Sequence, residues 1–464
     1  MKKHKSLAWL FALLLTATAT RAQQQHELTV KEAVDLAFKN VVELKNAELD
    51  YQIQDLQNRQ IAAQALPQIS GSVGANHYLK LPAILFPDAT TTAIYQILKD
   101  EGVSGSNGPI TNVPAPGLRQ VSFQQPWNMN LGATVTQLLF QPDVFVGLQA
   151  RKTAMDLAKA NVEQTREKIK DSAYKRYYAI LIAQKQLDFI NESIKRLEQL
   201  YHDDSIMYEN GFAERLDLDK VQVQLNNLRT TQSTVATAVD LSYAALKFAL
   251  GLPQSDVVVL KDDLNSVSIK DGVLQNDFAY EDRAEIRALN ELKKLQELDV
   301  KRYKMGKLPT VAATGNYTIN GMGPKFFTSP ETIWLNSSFV GLNISIPIFD
   351  GNQRRLKMQE ALVNVQKAEN TISNVKQAID LEQVATRNSL TNALFNLDAQ
   401  ERNMQLAEKV YNATRLKFQQ GLGSSFEVLQ ADADMQQAQN NYFQALYNAI
   451  VAKISYQYSL GKLQ

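Results

Sequence analysis

The chain has 464 residues, no cysteine, and 49 Lys and Arg against 48 Asp and Glu, a formal net charge of +1. The missing thiols exclude disulfides, thiolate metal sites, a cysteine nucleophile and a lipid-anchored N-terminal cysteine. The balanced charge offers nucleic acid no general field, and the four histidines (His4, His26, His77 and His202) lie far apart in sequence, a poor basis for a metal site or a triad.

At the N-terminus, MKKHK is a basic n-region, LAWLFALLLTATA an apolar core, and TRA places small residues before Gln23. This pattern predicts a secretory signal over residues 1–22, cleaved after Ala22. No later window approaches the 18 or more apolar residues of a membrane-spanning helix.

Prolines then divide the chain. Residues 143–252 and 348–464 contain none and are rich in Ala, Gln, Leu, Lys and Glu, a composition that favours helix. The few glycines punctuate both runs alike, at Gly211 and Gly251 in the first and Gly421 and Gly461 in the second. In chain order the expected elements are a helix over 41–65, strands over 68–79 and 127–140, a helix over 142–208, a tip at 209–215 and a helix over 214–250. An equatorial segment, 251–282, follows, with one strand-like run at 256–260. The second set is a helix over 284–307, strands over 310–321 and 334–349, a helix over 351–419, a tip at 420–425 and a helix over 424–460. The long helices would each span about 100 Å, more than a globular domain needs. Residues 79–125, between the first two strands, read as a loop rich in Pro, Gly, Asn and Ser that carries the apolar run LPAILFP.

The order is a duplication. Gly211–Gly251 aligns with Gly421–Gly461 at an offset of 210, and Leu66-Pro67 with Leu308-Pro309 at 242. The copies are 23–250 and 283–464, and the first carries about 33 residues more between Tyr78 and Trp127, where the offset falls from 242 to 209. The shorter helices carry heptads: Leu218, Leu225, Gln232, Val239 and Leu246 in one, and Val428, Met435, Tyr442, Ala449 and Tyr456 in the other. Such spacing predicts a coiled-coil seam. The helices 41–65 and 284–307 are expected to stack end to end with the 37-residue helices and run beside the long ones.

The strands alternate. Trp127, Met129, Leu131, Ala133, Val135 and Leu139 oppose Asn128, Asn130, Gly132, Thr134 and Thr136; Trp334, Val340, Leu342, Ile344, Ile346 and Ile348 oppose Gly341, Asn343, Ser345 and Pro347. The pattern fits a membrane barrel and equally a soluble half-buried sheet. In lipid, four strands cannot close alone, so membrane strands would require an oligomer.

FQQGLGSSFEVLQAD (418–432) and its worn copy YENGFAERLDLDKVQ (208–222) are the two tips. The glycines are not a phosphate cradle, because they follow a long helix and no Lys stands at the required spacing. Ser424 or Ser425 would cap the last helix.

The tandem helix–strand–strand–helix order, the two Leu-Pro turns, IPIFDG at 346–351 and the aromatic-x-x-Gly turns at Tyr208/Gly211 and Phe418/Gly421 together resemble the TolC-like outer-membrane efflux proteins. The resemblance spans essentially the whole mature chain. It implies a mostly α chain with membrane β: a homotrimeric 12-stranded β-barrel with four strands per chain, continued by a long periplasmic α-helical barrel. A small mixed α/β equatorial band surrounds the helices. It further implies outer-membrane localisation in contact with lipid, and a periplasmic adaptor and an inner-membrane transporter as partners. No cofactor, catalysis or nucleic acid is implied.

In the family, acids after the tip glycine form narrow cation-favouring rings. By position Glu427 matches the first acid, while Gln430 stands where a second acid is expected. Asp217 matches an acid of the first tip that pairs with a basic residue of the second; that basic position is Gly423 here, leaving Arg215, Lys220 or Arg415 as replacements. Glu427 is equally placed as an exposed acid favoured by a helix N-terminus. Adaptor contacts are expected around Gly211, Phe212, Ala213, Gly421, Leu422, Gly423 and Ser424. Type I protein secretion would use the same duct, and a pore-free coiled-coil scaffold would leave the alternating strands unused.

Overall fold

The computed structural model describes residues 25–264, 278–326 and 329–463. The expected signal segment and residues 265–277 of the expected equatorial segment lie outside these. The chain divides into two compact units, one from Gln57–Gln149 and Leu298–Glu360, the other from Met1–Leu56, Ala150–Glu297 and Ala361–Gln464.

The first of these holds a four-stranded antiparallel sheet of β2 (Gln68–His77), β7 (Trp127–Phe140), β9 (Thr310–Gly323) and β10 (Ile333–Ser345), ordered β10-β9-β7-β2. One rung runs Ile69, Val135, Gly315, Val340, and another Gly71, Ala133, Tyr317, Ser338. The register therefore gathers the apolar sets of the strands on one face, as a period of two requires. The opposite face carries a polar network. Asn130 Nδ2 donates to Asn320 Oδ1 (2.8 Å), Asn316 Nδ2 to Thr134 Oγ1 (2.9 Å), and Thr318 Oγ1 to Asn316 Oδ1 (2.7 Å).

β10 breaks the alternation in its first half. Leu335 and Phe339 pair with Asn320 and Asn316 on the polar face, while Asn336 and Ser338 lie on the apolar one. This strand stops at Ser345 instead of running to 349, and Pro347, which has no N–H to donate, cannot extend the ladder. At the other end of the sheet Trp127 stacks on His77 (4.3 Å) and meets Phe326 edge-on (5.1 Å). The Trp334 ring covers Gly321, where a Cβ would come within 2.8 Å of it.

Residues 79–125, expected as a loop, carry regular structure of their own. β3 (Ile84–Asp88) pairs with β6 (Gly117–Val121), and α3 (Ala89–Asp100) lies between them, followed by the short strands β4 (Ser104–Gly105) and β5 (Gly108–Pro109). Two helices precede β2 in the chain, α1 (Val30–Asn40) and α2 (Val42–Ala63). The local signal was an N-cap: Asp88 accepts from Thr90 N at 3.1 Å.

The other unit holds most of two helical hairpins, α4 (Pro142–Glu209) with α5 (Arg215–Ala249) and α7 (Gln353–Gln419) with α8 (Ser425–Ser459); α6 (Ala284–Met305) precedes β9. The heptad positions Leu218, Leu225, Val239, Leu246, Val428, Met435, Ala449 and Tyr456 are all buried. β1 (Gln25–Leu28) pairs in parallel with β8 (Val257–Leu260), the strand-like run of the equatorial segment. Tyr177 of α4 donates to Leu28 O beside this pair (2.8 Å), within a core that includes Ala33, Val34, Ile180, Leu246 and Leu250.

The duplication recurs at atomic detail. Gly251 lies so close to Asn40 that a Cβ would come within 2.8 Å of its backbone, and Gly461 meets Asp282 identically, at 2.8 Å. Both glycines have positive φ, 66° and 67°. Each short helix of a hairpin thus ends against a residue two positions before the start of α2 or α6, as end-to-end stacking requires. Among the described residues, no helix is long and apolar enough to cross a membrane.

Candidate gate at the two hairpin turns

Both hairpins turn by the same device. At the first, Gly211 N donates to Tyr208 O (3.0 Å) and Phe212 N to Met207 O (2.8 Å); at the second, Gly421 N donates to Phe418 O (2.9 Å) and Leu422 N to Lys417 O (3.0 Å). These paired bonds are Schellman motifs. They consume the last free carbonyls of each long helix and need the left-handed backbone that Gly211 (φ 80°) and Gly421 (φ 73°) adopt.

The next helices start differently. Ser424 caps α8 and accepts from Glu427 N (3.3 Å), whereas Glu214 occupies the equivalent place before α5 without a side-chain cap. Phe212 and Leu422 project from the two turns, 80% and 70% exposed.

The charges at the tips are arranged as follows. Glu427 stands half exposed and pairs with Lys417 Nζ from the end of α7 (3.4 Å). Asp217 pairs with Lys220 one turn along its own helix (3.2 Å), and the Lys220 ammonium lies 5.2 Å from the centre of the Phe426 ring. Lys220 therefore links the first hairpin to the second. Arg215 instead pairs with Asp219 (3.2 Å) and leans over Tyr208 (6.0 Å). Gln430 donates to Asp434 (2.9 Å), so an acid stands one turn beyond the position the pattern expected.

Gly423 acquires a physical reason. A Cβ there would sit 3.2 Å from a Glu427 carboxylate oxygen and 3.6 Å from the Lys417 chain. The glycine leaves room for the Lys417–Glu427 pair, a cation that spacing alone did not single out.

Below the tips the two hairpins share one core: Ile190, Ile194, Leu197 and Leu200 of α4, Val221, Leu225 and Leu228 of α5, Tyr411 and Phe418 of α7, and Val428, Ala431 and Met435 of α8. Within it Asp432 is only 1% exposed and is held by Arg196 Nε (2.9 Å) and by Gln436. The guanidinium also lies over the Tyr411 ring, 5.4 Å from its centre. Burial pushes the Asp432 carboxyl up, against the opposing pull of Arg196. A second buried acid, Asp204 of α4, stands against Ser425. Sequence reasoning missed both, because an acid in a helix rich in Gln and Glu looks like every other surface position. Among the described residues no cluster of His, Asp and Glu could hold a metal ion.

The profile of the outer membrane efflux protein family matches residues 82–252 and 287–462, one stretch in each copy of the repeat. The chain belongs to this family.

It is accordingly an outer-membrane protein with a long periplasmic helical extension, from a family of channels rather than enzymes. The outer membrane protein TolC of Vibrio cholerae is 21% identical over 72% of this chain and 77% of its own length. The alkaline protease secretion protein AprF of Pseudomonas aeruginosa is 20% identical over 62% of this chain and 60% of its own length. The fold resembles the outer-membrane channel OprN (TM-score 0.70, 14% identity, 93% of this chain and 89% of that one). It also resembles the open state of the Neisseria gonorrhoeae MtrE channel (TM-score 0.68, 13% identity, 96% and 94%).

Proposed function

We propose that three copies of this chain close into a passive exit duct of a tripartite efflux system. The observation that carries the reading is the sheet. Outside the first half of β10 it is apolar on one face and polar on the other, and both of its outer strands, β2 and β10, are exposed along nearly their whole length. Unpaired strand edges are not tolerated in hydrocarbon, so such a sheet needs copies of itself to close. Three sets of four strands give twelve, within the range of membrane barrels, with the polar network facing the lumen.

The helices favour the same reading. α5 and α7 carry exposed apolar side chains along their length, Leu241 and Phe248 on one and Leu381, Phe395 and Leu406 on the other, available for neighbouring copies. Glu427 would repeat around one axis and favour cations, with Asp217 and Gln430 on the same turns. The residues Gly211, Phe212, Ala213, Gly421, Leu422, Gly423 and Ser424 would meet a periplasmic adaptor, which links the duct to an inner-membrane transporter. Exposed Phe212 and Leu422 suit that contact.

Purified protein in a planar bilayer tests the duct. Ion-conducting steps, and a protein mass of three chains by light scattering, are the expected results. A protein that stays monomeric and never conducts would sink the reading. The similarity to AprF supports a second reading, export of a protein through the same duct; identifying which inner-membrane transporter co-purifies with the chain separates the two.

A further inference from the structure

Asp204 is the least accommodated charge in the described helices. It lies on α4, seven residues before the Gly211 turn, and is 1% exposed. Neither carboxylate oxygen accepts a well-formed hydrogen bond. Its burial arises within one chain, so it does not wait on oligomer formation. The group facing it is Ser425, itself buried, the first residue of α8. The charged groups around it offer no help. Asp203 beside it on α4 and Asp217 on α5 both repel it. Lys220 is engaged by Asp217 (3.2 Å), and Glu427 on α8 is turned to Lys417 (3.4 Å). The equivalent position in the second copy, at an offset of 210, is Thr414, so Asp204 is not part of the repeated hairpin framework. A buried carboxylate whose one facing donor is the Ser425 hydroxyl, with no cation, is tolerated when neutral and costly when charged.

We infer that Asp204 is a gating residue of the duct: protonated, it lets the first turn of α8 close on α4, and ionised, it works to separate the two hairpin tips. The inference rests on the channel reading above for its purpose, though not for its geometry. Burial raises the Asp204 carboxyl from its ordinary 3.8 to about 6, against the opposing pull of the Ser425 hydroxyl and with Asp217 and Asp203 adding to the rise. An acid whose value is raised in the closed form favours that form at low pH. The advantage is complete below the ordinary value near 4, is lost as pH climbs, and is gone above about 6. Closure is therefore a response to acid on the tip side. Within that window one pH step changes the closed-to-open ratio by up to about tenfold, the most that a single proton can do.

The test uses the full chain with two readouts. Spin labels at Phe212→Cys and Leu422→Cys, free of background because the sequence has no cysteine, report the distance between the tips. Tip-side acidification in a planar bilayer reports the current. With Asp204 present, the labels should draw together between pH 7 and pH 4.5, and open probability should fall at least about tenfold. Asp204→Asn, which keeps the shape and removes the charge, should hold the short distance and the low open probability at both pH values. A distance that ignores pH with Asp204 present, or that still responds to pH in Asp204→Asn, overturns the inference. A distance that follows pH in a protein that passes no current removes the channel reading and leaves Asp204 as a proton-sensitive junction. A steady current with no pH response removes Asp204 alone.

Discussion

α5 and α8 are duplicates of one another, 35 residues each, cut from the same heptad pattern and ended by the same glycine turn, yet their surroundings differ. α8 buries fifteen residues, among them Phe443, Leu446 and Ile450, whereas α5 buries six and leaves Val223, Leu241 and Phe248 in solvent. The long helices divide in the opposite sense. α4 contributes Tyr177, Ile180 and Leu197 to the core, while α7 exposes Leu381, Val384 and Phe395. One hairpin thus gives its long helix to the interior and the other its short one. The lesson is that duplication copied the periodicity without copying the neighbours: α4 and α8 are mostly internal, while α5 and α7 carry exposed apolar margins, which the proposed trimer would cover.

The largest expected effect lies where the two internal helices meet. Arg196→Met would leave Asp432 buried without its cation and should cost about 3–5 kcal/mol in a denaturant titration. Adding Asp432→Leu should recover most of that loss; failure to recover would mean that the pair does more than neutralise a charge. Next in size, Ile450→Ala on α8 should cost about 2–4 kcal/mol through the cavity it opens. Phe395→Ala on α7, where the ring is 75% exposed, should leave the fold of a single chain intact and instead raise the monomer fraction seen by light scattering. Equal effects of the two substitutions on single-chain stability would erase the distinction between core and margin.

The two turns sharpen the comparison on a smaller scale. Ser424→Ala should cost about 1 kcal/mol by removing a cap, and Glu214→Ser should return a similar amount by supplying one to α5. Thermal midpoints of the two variants moving in opposite directions is the expected outcome. Smallest is the effect of Glu427→Gln, expected to lower the cation-over-anion preference by roughly twofold in reversal-potential measurements. Lys417→Met should raise it, because the paired ammonium (3.4 Å away) now offsets part of that charge. An unchanged preference in both variants would take Glu427 out of the conduction path.

The site was legible to different depths. The glycine turns, a serine cap at 424 or 425 and the exposed Phe212 and Leu422 could be read because each depends on a few adjacent residues. The partner of Glu427 could not be, since Lys417 reaches it only after the Gly421 turn folds the two helices together, ten positions apart in sequence. Residues 79–125 mark the opposite failure. Their Pro and Gly content argued for loop, but Asp88 at an N-cap and the apolar rows of α3 carried a local signal that composition averaged away.

What the amino-acid sequence determined by itself is everything set by the geometry of a continuous chain. That includes the duplication, the long helices, the heptad spacing, and the face on which apolar residues collect along β7 and the second half of β10, since periods of 3.6 and 2 follow from backbone angles alone. Only the tertiary structure decided the strand order β10-β9-β7-β2. It also decided which duplicate became core and which margin, and the burial of Asp204 and Asp432. These depend on which segments, hundreds of residues apart, share a surface. A carboxylate in water and a carboxylate against Ser425 are written with the same letter, and desolvation by the neighbouring helix is what separates them.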